Sequence, residues 1–344
     1  MQALVKVRQE KGLEYMKVED PVPGLNEVVV KVMASGIGES DFQIYNWGLS
    51  FQWVEKYLPL IPGHEFSGEV VEVGKNVTRV KCGDRVTCMS SVGCGECYLC
   101  KKGLISLCEN NRPIGIFSNG AFAEYVVVSE NSCYRINDNV SYDIAALTET
   151  LAISNQTVEH GGNLFGKKVS IIGCDPIGLG ICYFASVANA RVWVFGKGHD
   201  AENFGIAKRL GAEDCLNIEM LDMELAAADI TYNKGFDVTF NTSSDRETIQ
   251  ECIDITKRNG KTIVAGEFDS TVEIDLGSMV KSQKDLITSY GYSKNSFQRV
   301  IDCMGKTYVP FDILISHKFN LNQVDEAMAL KESKRCAKIM FSFA

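Results

Sequence analysis

Short apolar runs bounded by turn residues characterise the first part of the chain and predict β-strands there. The clearest run, 28–32, reads Val-Val-Val-Lys-Val and follows a turn signal at 21–24. A second run, 85–89, begins directly after Gly83 and Asp84, which are typical turn residues. The predicted strands of this part of the chain are 28–32, one within 61–74, 85–89 and 120–128.

The pattern changes near residue 168, where strand-like and helix-like stretches begin to alternate. Strands are predicted at 168–172, 192–195, 236–241 and 260–266, and helices at 178–187, 204–211 and 248–257. This alternation is typical of an α/β fold with a doubly wound parallel sheet. Outside this region, helices are predicted at 144–157, 300–304 and 324–331, and a closing strand at 338–343.

A glycine turn after the first strand of the alternating region is a candidate dinucleotide site. The fingerprint for such sites has glycine at its first, third and sixth positions, which here hold Gly173, Asp175 and Gly178. Asp175 places a carboxylate where the backbone normally approaches a pyrophosphate, so a βα turn without a nucleotide is the alternative. The predicted cofactor-binding residues of this turn are Gly173, Asp175, Pro176, Ile177 and Gly178.

The residues after the second strand of this region favour NADP(H) over NAD(H). Sites for NAD place an acidic residue at the end of this strand, where it binds the ribose 2′-hydroxyl. Here the equivalent stretch is Gly196, Lys197, Gly198 and His199. Lys197 could pair with a 2′-phosphate, and a protonated His199 could assist. The alternative is a solvated βα turn that carries an incidental lysine.

Four of the 13 cysteines form a tight cluster that predicts a structural metal site. Thiolates at this short spacing can wrap one tetrahedral zinc, and a closed four-cysteine site has no position left for catalysis. An iron–sulfur centre is the competing interpretation, but ferredoxin-type runs have a different spacing and a following proline. The predicted zinc ligands are Cys94, Cys97, Cys100 and Cys108.

The composition is that of an ordinary globular protein and excludes several classes of partner. The chain has 344 residues, which suggests about two domains, with 45% hydrophobic and 23% charged residues. A net charge of −9 without a basic cluster argues against a nucleic-acid partner. No apolar run predicts a signal peptide or a membrane span. We therefore expect a cytoplasmic protein with a small-molecule substrate and no membrane partner.

Together, these landmarks resemble the zinc-containing medium-chain alcohol dehydrogenase family, in its threonine and polyol dehydrogenase branch. The resemblance rests on Gly63-His64-Glu65, the four-cysteine lobe, the stretch at 120–125, the nucleotide region and the C-terminal return. It implies a GroES-like β-rich catalytic domain at 1–150 with a structural zinc lobe at about 90–110. A Rossmann dinucleotide-binding domain at 151–290 and a return to the catalytic domain at 291–344 would follow.

The resemblance also implies hydride transfer between a nicotinamide and an alcohol or carbonyl, in a homodimer or homotetramer. The active site would lie in the cleft between the two domains. Within the motifs, Ser40 matches the catalytic hydroxyl, His64 a zinc ligand, Glu65 the adjacent acid and Glu149 the acid near the metal in the polyol branch. These four residues are the predicted catalytic residues.

The motif that supplies the catalytic zinc ligand departs from the family. Family members with this zinc carry Cys-Gly-Thr/Ser-Asp and, three residues after the hydroxyl, a histidine. Here the cysteine position is Gly38, the glycine position is Glu39 and the histidine position is Gln43. Loss of a thiolate should weaken zinc binding strongly.

Two arrangements of the site remain open. His64 and Glu65, with Glu149 and a possible contribution from Glu39, could form a weak, oxygen-rich metal site for zinc or a harder ion such as manganese. Alternatively, and favoured here, the catalytic metal is lost and Ser40 or His64 supplies the electrophile. The sequence thus predicts an NAD(P)-dependent oxidoreductase of a small alcohol, polyol or carbonyl.

Three other functions are compatible with the same sequence. The fold could have become a non-catalytic nucleotide sensor, because both the cysteine and the histidine positions of the motif are lost. It could serve as a metal-free reductase of an activated C=C or C=N bond. An epimerase or lyase that uses a tightly held cofactor transiently is the third alternative.

Overall fold

The computed structural model describes residues 1–306 and 310–343, and the chain divides into two compact units. The first unit comprises the described residues of 1–152, 292–332 and 338–343, and the second comprises 153–291 and 333–337. The chain therefore leaves the first unit at residue 153, returns to it at residue 292, and contributes the short segment 333–337 to the second unit before its last strand. The predicted return at 291–344 includes residues 307–309 and 344, which lie outside the described residues.

The first unit begins with short strands connected by loops and short helices. In chain order its elements are β1 (Gln2–Val5), β2 (Glu14–Lys17), β3 (Glu27–Gly36), α1 (Glu39–Asn46), β4 (Glu65–Val73), β5 (Arg85–Cys88), α2 (Tyr98–Lys101), β6 (Tyr125–Ser129), β7 (Cys133–Arg135), α3 (Tyr142–Ala146) and α4 (Thr148–His160). Helix α4 begins in the first unit and continues into the second.

The second unit alternates strands and helices. Its elements are β8 (Lys168–Ile172), α5 (Pro176–Val187), β9 (Arg191–Gly196), α6 (Ala201–Arg209), β10 (Ala212–Asn217), α7 (Met223–Thr231), β11 (Phe236–Asn241), α8 (Glu247–Ile255), β12 (Thr256–Val264), α9 (Leu276–Ser282) and β13 (Asp285–Thr288). The return to the first unit then forms α10 (Lys294–Met304), β14 (Ile315–Phe319), α11 (Val324–Glu332) and β15 (Lys338–Ser342).

Short 3₁₀ helices complete the secondary structure. They are Leu49–Tyr57, Ile105–Leu107, Glu130–Ser132, Gly198–Asp200, Phe311–Leu314 and Leu321–Gln323.

A mostly antiparallel sheet forms the centre of the first unit. Its strand order is β14-β15-β3-β4-β5-β7, and β6 pairs with β3. Val28, Val30 and Val32 of β3 are fully buried, whereas Lys31 is exposed, because successive side chains of a strand point to opposite faces. The C-terminal strand β15 pairs antiparallel with β3, so the end of the chain completes the sheet that its beginning started.

A six-stranded parallel sheet forms the centre of the second unit. Its strand order is β10-β9-β8-β11-β12-β13, and every pair is parallel. Starting from β8, this is the 3-2-1-4-5-6 order of dinucleotide-binding folds, in which ligands bind at the carboxyl ends of the strands near β8. The predicted α/β class with a doubly wound sheet is confirmed.

Several element boundaries differ from the prediction. The predicted helix 144–157 is two helices, α3 and α4, separated at Leu147. The predicted helix 248–257 ends at Ile255, because the β-branched Thr256 is extended and begins β12. Strands β10 and β13 were not predicted, since they lack a clear run of β-branched residues. Among the described residues, no helix is long and apolar enough to cross a membrane.

Candidate active site

The predicted catalytic residues surround the junction between β3 and α1 in the first unit. Gly38 precedes α1 in an extended conformation, and Asp41 in the first turn accepts its backbone N–H at 2.9 Å. Asp41 is fully buried and also accepts the N–H of Gly63 at 2.9 Å. The same carboxylate lies 3.1 Å from Nδ1 of His64. Asp41 therefore fixes the turn that carries His64 and the orientation of its ring.

The imidazole of His64 lies among three carboxylates. Its Nδ1 faces Asp41, and its Nε2 lies 4.0 Å from Oε1 of Glu149. Burial alone lowers the pKa of His64, but Asp41, Glu149 and Glu65 together outweigh it, Asp41 contributing most, and raise this pKa to about 10. The Ser40 hydroxyl lies 3.5 Å from Nδ1. The arrangement favours a protonated imidazole whose Nε2–H is directed away from Asp41.

Glu149 lies in the first turn of α4 and is buried. Oε1 accepts a hydrogen bond from the Ser90 hydroxyl at 2.9 Å, and that hydroxyl also lies 3.3 Å from the Tyr292 hydroxyl. Oε2 has no hydrogen-bond partner among the described residues. Burial raises the pKa of Glu149 to about 7, the nearby charge of Glu65 adds to this, and His64 opposes it. This carboxyl group can therefore exchange a proton near neutral pH.

Glu65 is engaged in a buried ion pair through one of its two carboxylate oxygens. Its Oε2 lies 2.5 Å from Nζ of Lys338 and accepts the Thr150 hydroxyl at 3.0 Å. Both charged side chains are almost fully buried. Lys338 lies in β15 and Glu65 in β4, so the pair connects two strands of the first sheet. A Cβ on Gly36 would lie 2.8 Å from Glu65 Oε2, so glycine makes room for the pair.

Any side chain at position 38 would extend towards His64 and Glu65. A Cβ on Gly38 would lie 2.4 Å from Cε1 and 2.7 Å from Nε2 of His64. It would also lie 3.2 Å from Oε1 of Glu65. The imidazole thus occupies the space that a cysteine at position 38 would need.

The residues present do not fit a catalytic zinc as they are arranged. Among the described residues, only the cysteine cluster brings at least three possible metal-ligand atoms of His, Cys, Asp or Glu within 4.8 Å of one another. His64, Glu65 and Glu149 form no such group, and Glu65 is already neutralised by Lys338. A metal at this site would have to move the imidazole or break the ion pair.

The four clustered cysteines are arranged to bind one metal ion. Their sulfur atoms lie within 4.8 Å of one another, with Cys94 and Cys100 at 4.0 Å and Cys97 and Cys108 at 3.8 Å. Zinc–sulfur bonds of about 2.3 Å in a tetrahedron require sulfur separations of about 3.8 Å. Backbone N–H groups of Cys97 and Glu96 lower the pKa of Cys94 to about 6. The four thiols fit a closed zinc site.

The glycine turn of the second unit is shaped to receive a dinucleotide phosphate. Gly173 follows β8 with a φ of +109°, and a Cβ there would lie 2.3 Å from the Thr242 hydroxyl. Asp175 caps α5 by accepting the Gly178 N–H at 2.9 Å, and Pro176 is the first helical residue. Ile177 follows within the first turn of the same helix. The backbone at Gly173 and Gly178 leaves room for a pyrophosphate. One N–H donor of this turn, that of Gly178, is however already bonded to the Asp175 carboxylate.

The predicted 2′-phosphate site is surrounded by acidic side chains of the same unit. Gly196 ends β9, and Nζ of Lys197 lies 2.6 Å from Oδ2 of Asp245. Glu219 accepts the N–H of Gly198 at 2.8 Å. A separate contact places Nε2 of His199 3.6 Å from Oδ2 of Asp200. A 2′-phosphate would therefore compete with carboxylates for Lys197.

Sequence reasoning missed several residues of the cluster. Asp41 follows Ser40 in the motif at 38–41, but its contact with His64, 23 residues further along the chain, forms only in the folded structure. Lys338 looked like an ordinary polar position in a closing strand. The residues that the structure adds to the first-unit cluster are Asp41, Ser90, Thr150, Tyr292 and Lys338.

Two family models match the chain in the order that the fold requires. The alcohol dehydrogenase GroES-like domain matches residues 24–138, and the zinc-binding dehydrogenase domain matches residues 176–306. The chain is 30% identical to L-threonine 3-dehydrogenase of Pyrococcus furiosus, over 99% of this chain and 98% of the relative.

Three solved structures have the same fold over their whole length, each with a TM-score of 0.90. One is 2R,3R-butanediol dehydrogenase of Bacillus subtilis, 28% identical, covering 100% of this chain and 99% of that one. Another is an alcohol dehydrogenase of Escherichia coli CFT073 in complex with NADH, 26% identical, with coverages of 100% and 99%. The third is a candidate zinc-binding dehydrogenase of Sinorhizobium meliloti 1021 bound to NADP, 26% identical, with 99% of each chain covered.

Proposed function

The chain belongs to the zinc-containing medium-chain alcohol dehydrogenase family, and we propose that it reduces or oxidises a small alcohol, polyol or carbonyl substrate without a normal catalytic zinc. It is an NAD(P)-dependent oxidoreductase of the GroES-like and Rossmann fold, and zinc and a nicotinamide nucleotide are the cofactors of this family. The substrate, the residue roles, the cofactor preference and the number of zinc ions are the proposed parts.

One observation carries the proposal: a buried imidazole, held by Asp41, takes the space of the missing thiolate side chain. The ring of His64 lies where a Cβ on Gly38 would extend, and its Nδ1 is held at 3.1 Å by Asp41. A cation in this place can do part of what a metal does for a carbonyl oxygen, because it stabilises developing negative charge. Ser40 adds a hydroxyl donor 3.5 Å from the same ring.

The chemistry requires two events on the substrate. When bound, the nicotinamide supplies the hydride to the carbonyl carbon or takes it from the alcohol carbon. In the reducing direction, Nε2–H of His64 donates a proton to the substrate oxygen, and Ser40 donates a hydrogen bond to it. In the oxidising direction, His64 first loses its Nε2 proton, and the neutral imidazole then accepts the alcohol proton at that atom. Glu149, 4.0 Å from Nε2, is placed to exchange that proton onward.

We propose one zinc per chain, bound by the four clustered cysteines. Elemental analysis of the purified protein is expected to give one zinc per chain. Two metals per chain would support the alternative in which His64, Glu65 and Glu149 hold a second ion.

We propose that the enzyme prefers NADP(H). The support is that Gly196 offers no carboxylate for a ribose 2′-hydroxyl and that Lys197 is partly exposed beside it. Asp245 and Glu219 reduce this preference, because both place negative charge at the same site. The test is to measure the Kd of NADPH and of NADH by calorimetry for the wild type, Lys197→Ala and Asp245→Asn.

The two substitutions should have opposite effects on NADPH. Lys197→Ala should weaken NADPH binding about tenfold and leave NADH unchanged, since only NADPH carries the 2′-phosphate. Asp245→Asn should strengthen NADPH binding, because it frees Lys197 from its ion pair. Equal loss of both nucleotides in Lys197→Ala would contradict the proposed preference.

The reaction itself is tested by following NADPH and NADH absorbance with a panel of small alcohols, polyols, hydroxy amino acids and carbonyls. Turnover with at least one member, abolished in His64→Ala, supports the proposal. Tight nucleotide binding without turnover on any member would favour a non-catalytic sensor. Turnover confined to substrates with activated C=C or C=N bonds would favour the metal-free reductase alternative, and retention of the nucleotide through purification would favour an epimerase or lyase.

The remaining expectations concern the environment of the enzyme. We propose that it acts in the cytoplasm as a homodimer or homotetramer on small molecules, without nucleic-acid or membrane partners. The support is the acidic net charge of −9 and the family to which the chain belongs.

A further inference from the structure

The N-terminus of α5 in the second unit is capped by a charged side chain of the chain itself. Oδ1 of Asp175 accepts the N–H of Gly178 at 2.9 Å and the hydroxyl of Thr242 at 2.7 Å. Thr242 follows β11, the strand that pairs with β8. The carboxylate is thus fixed from two sides, by a helix N–H and by the neighbouring strand end.

This carboxylate occupies the third position of the fingerprint, where a glycine lets a pyrophosphate approach the backbone. The free N–H groups of a helix start and the helix dipole normally attract that pyrophosphate. Here one of these N–H groups is already bonded to an anion, and the anion partly neutralises the positive end of the helix. A pyrophosphate in the same place would meet a like charge.

The rest of the cradle is preserved. Gly173 has a φ of +109°, which favours glycine, and a Cβ at Gly178 would lie 2.3 Å from the carbonyl oxygen of Gly173. Both glycines are therefore needed for the turn itself. Only Asp175 conflicts with the ligand for which such turns are suited.

We propose that Asp175 sets the affinity of this protein for its dinucleotide by competing with the pyrophosphate for the N-terminus of α5. The inference rests on the proposed function, because it concerns the cofactor site of that enzyme. The dinucleotide binds weakly and is exchanged in each cycle rather than retained. Thr242 is a positioning residue that holds the competing carboxylate in place.

The test uses two substitutions that separate charge from shape. Asp175→Asn keeps the side-chain volume and the cap on Gly178, since asparagine is a good N-cap residue, but removes the charge. Asp175→Gly removes both the charge and the side chain. Asp222→Asn is the matched control, because Asp222 caps α7 in the same unit by accepting the Leu225 N–H at 3.0 Å.

Calorimetry with NADH, NADPH and adenosine on the purified full chain gives the readout. The Kd of both dinucleotides should fall about tenfold in Asp175→Asn, and at least as far in Asp175→Gly. Adenosine, which carries no phosphate, should bind with the same Kd to the wild type and to all three variants. Asp222→Asn should match the wild type. Added salt should narrow the difference between the wild type and Asp175→Asn, because it screens the repulsion.

Two results would overturn the inference. One is an unchanged or higher dinucleotide Kd in Asp175→Asn. The other is an equal gain for adenosine, which would indicate a change of shape rather than of charge. The proposed function fails separately: if Asp175→Asn binds the dinucleotides more tightly but no protein turns over any substrate, the inference stands and the enzymatic proposal falls.

Discussion

At the scale of single residues, the site is dominated by one absent side chain and the residues that fill its space. Gly38 supplies no ligand, the His64 ring takes the space of a Cβ at that position, and Asp41 lies 3.1 Å from the ring. A buried carboxyl at Glu149 completes the group. The site therefore brings together an imidazole and a carboxyl group whose pKa is raised to about 7, with no thiolate at position 38.

The buried carboxyl makes a prediction about stability and pH. The pKa of Glu149 is raised to about 7 from its ordinary value of 4.5, so the folded protein binds this proton more tightly than the unfolded chain. Its contribution to stability is complete below pH 4.5 and is lost as pH rises through about 7. Glu149→Gln should remove this dependence, and the wild type should lose Tm relative to the variant between pH 5 and 8.

The measurement is thermal unfolding of both proteins across that range. We expect the Tm of the wild type, relative to that of Glu149→Gln, to fall by several degrees from pH 5 to pH 8. Such a change corresponds to a few kcal/mol of unfolding free energy in a chain of this size. A constant difference would show that Glu149 does not titrate in this window.

Restoring the missing ligand gives a second residue-scale prediction. Gly38→Cys adds a thiolate beside His64 and Glu149 and should raise the zinc content from one to two ions per chain. Gly38→Ala is the matched control, because it also displaces the His64 ring but adds no ligand. It should keep one zinc. Elemental analysis checks both variants, and equal zinc contents would contradict the prediction.

At the scale of elements, function depends on where strands and helices end. Asp41 and Glu149 stand in the first turns of α1 and α4, and the dinucleotide turn joins β8 to α5. Such positions leave backbone N–H groups available, because the first turn of a helix has no intrahelical partners for them. The cysteine lobe is instead rich in loops, with only α2 and one 3₁₀ helix between its first and last cysteines.

The cysteine lobe gives a prediction on folding. Cys97→Ser should lower the zinc content from one ion per chain to nearly none and make the region 94–108 sensitive to protease, because the lobe contains little other structure. Cys82→Ser is the control, since Cys82 is an exposed cysteine outside the lobe. Zinc-loaded, protease-resistant Cys97→Ser protein would refute the structural-zinc assignment.

The ion pair between β4 and β15 gives a prediction on stability. Lys338→Met leaves the buried Glu65 carboxylate without its cation and should lower the free energy of unfolding by about 3 to 5 kcal/mol. The double variant Glu65→Gln with Lys338→Met should recover part of that loss, because no unpaired charge remains. Denaturant unfolding of both variants checks this. A double variant less stable than Lys338→Met would contradict it.

At the scale of the whole molecule, the chain combines a β-rich unit that carries the candidate catalytic group with a doubly wound unit that carries the dinucleotide turn. The C-terminal segment returns to complete the sheet of the first unit through β14 and β15. The first unit is therefore built from separate segments of the chain, whereas the second is built almost entirely from one continuous segment.

The predicted assembly can be tested at this scale. A homodimer or homotetramer has two or four times the chain mass of 38.0 kDa. Light scattering coupled to size-exclusion chromatography should give one of these values. A mass of one chain at micromolar concentration would contradict the prediction of an oligomer.

The sequence by itself determined the class of fold and the kinds of chemistry present. Hydrophobic periodicity separates the β-rich part from the alternating part because helix and strand repeat differently, and four cysteines at short spacing identify a metal lobe locally. The departure at Gly38 and the charge at Asp175 are also visible without coordinates. These features are readable because each depends on residues that are close together in the chain.

The tertiary structure alone decided which polar groups meet. Asp175 and Thr242 are 67 residues apart, Glu65 and Thr150 are 85 apart, and Lys338 comes from the last strand. No local pattern encodes such pairs, because they form only when elements that are distant in the chain pack against one another. For the same reason the sequence does not show that Glu65 forms an ion pair with Lys338, or that Lys197 has an acidic partner in Asp245.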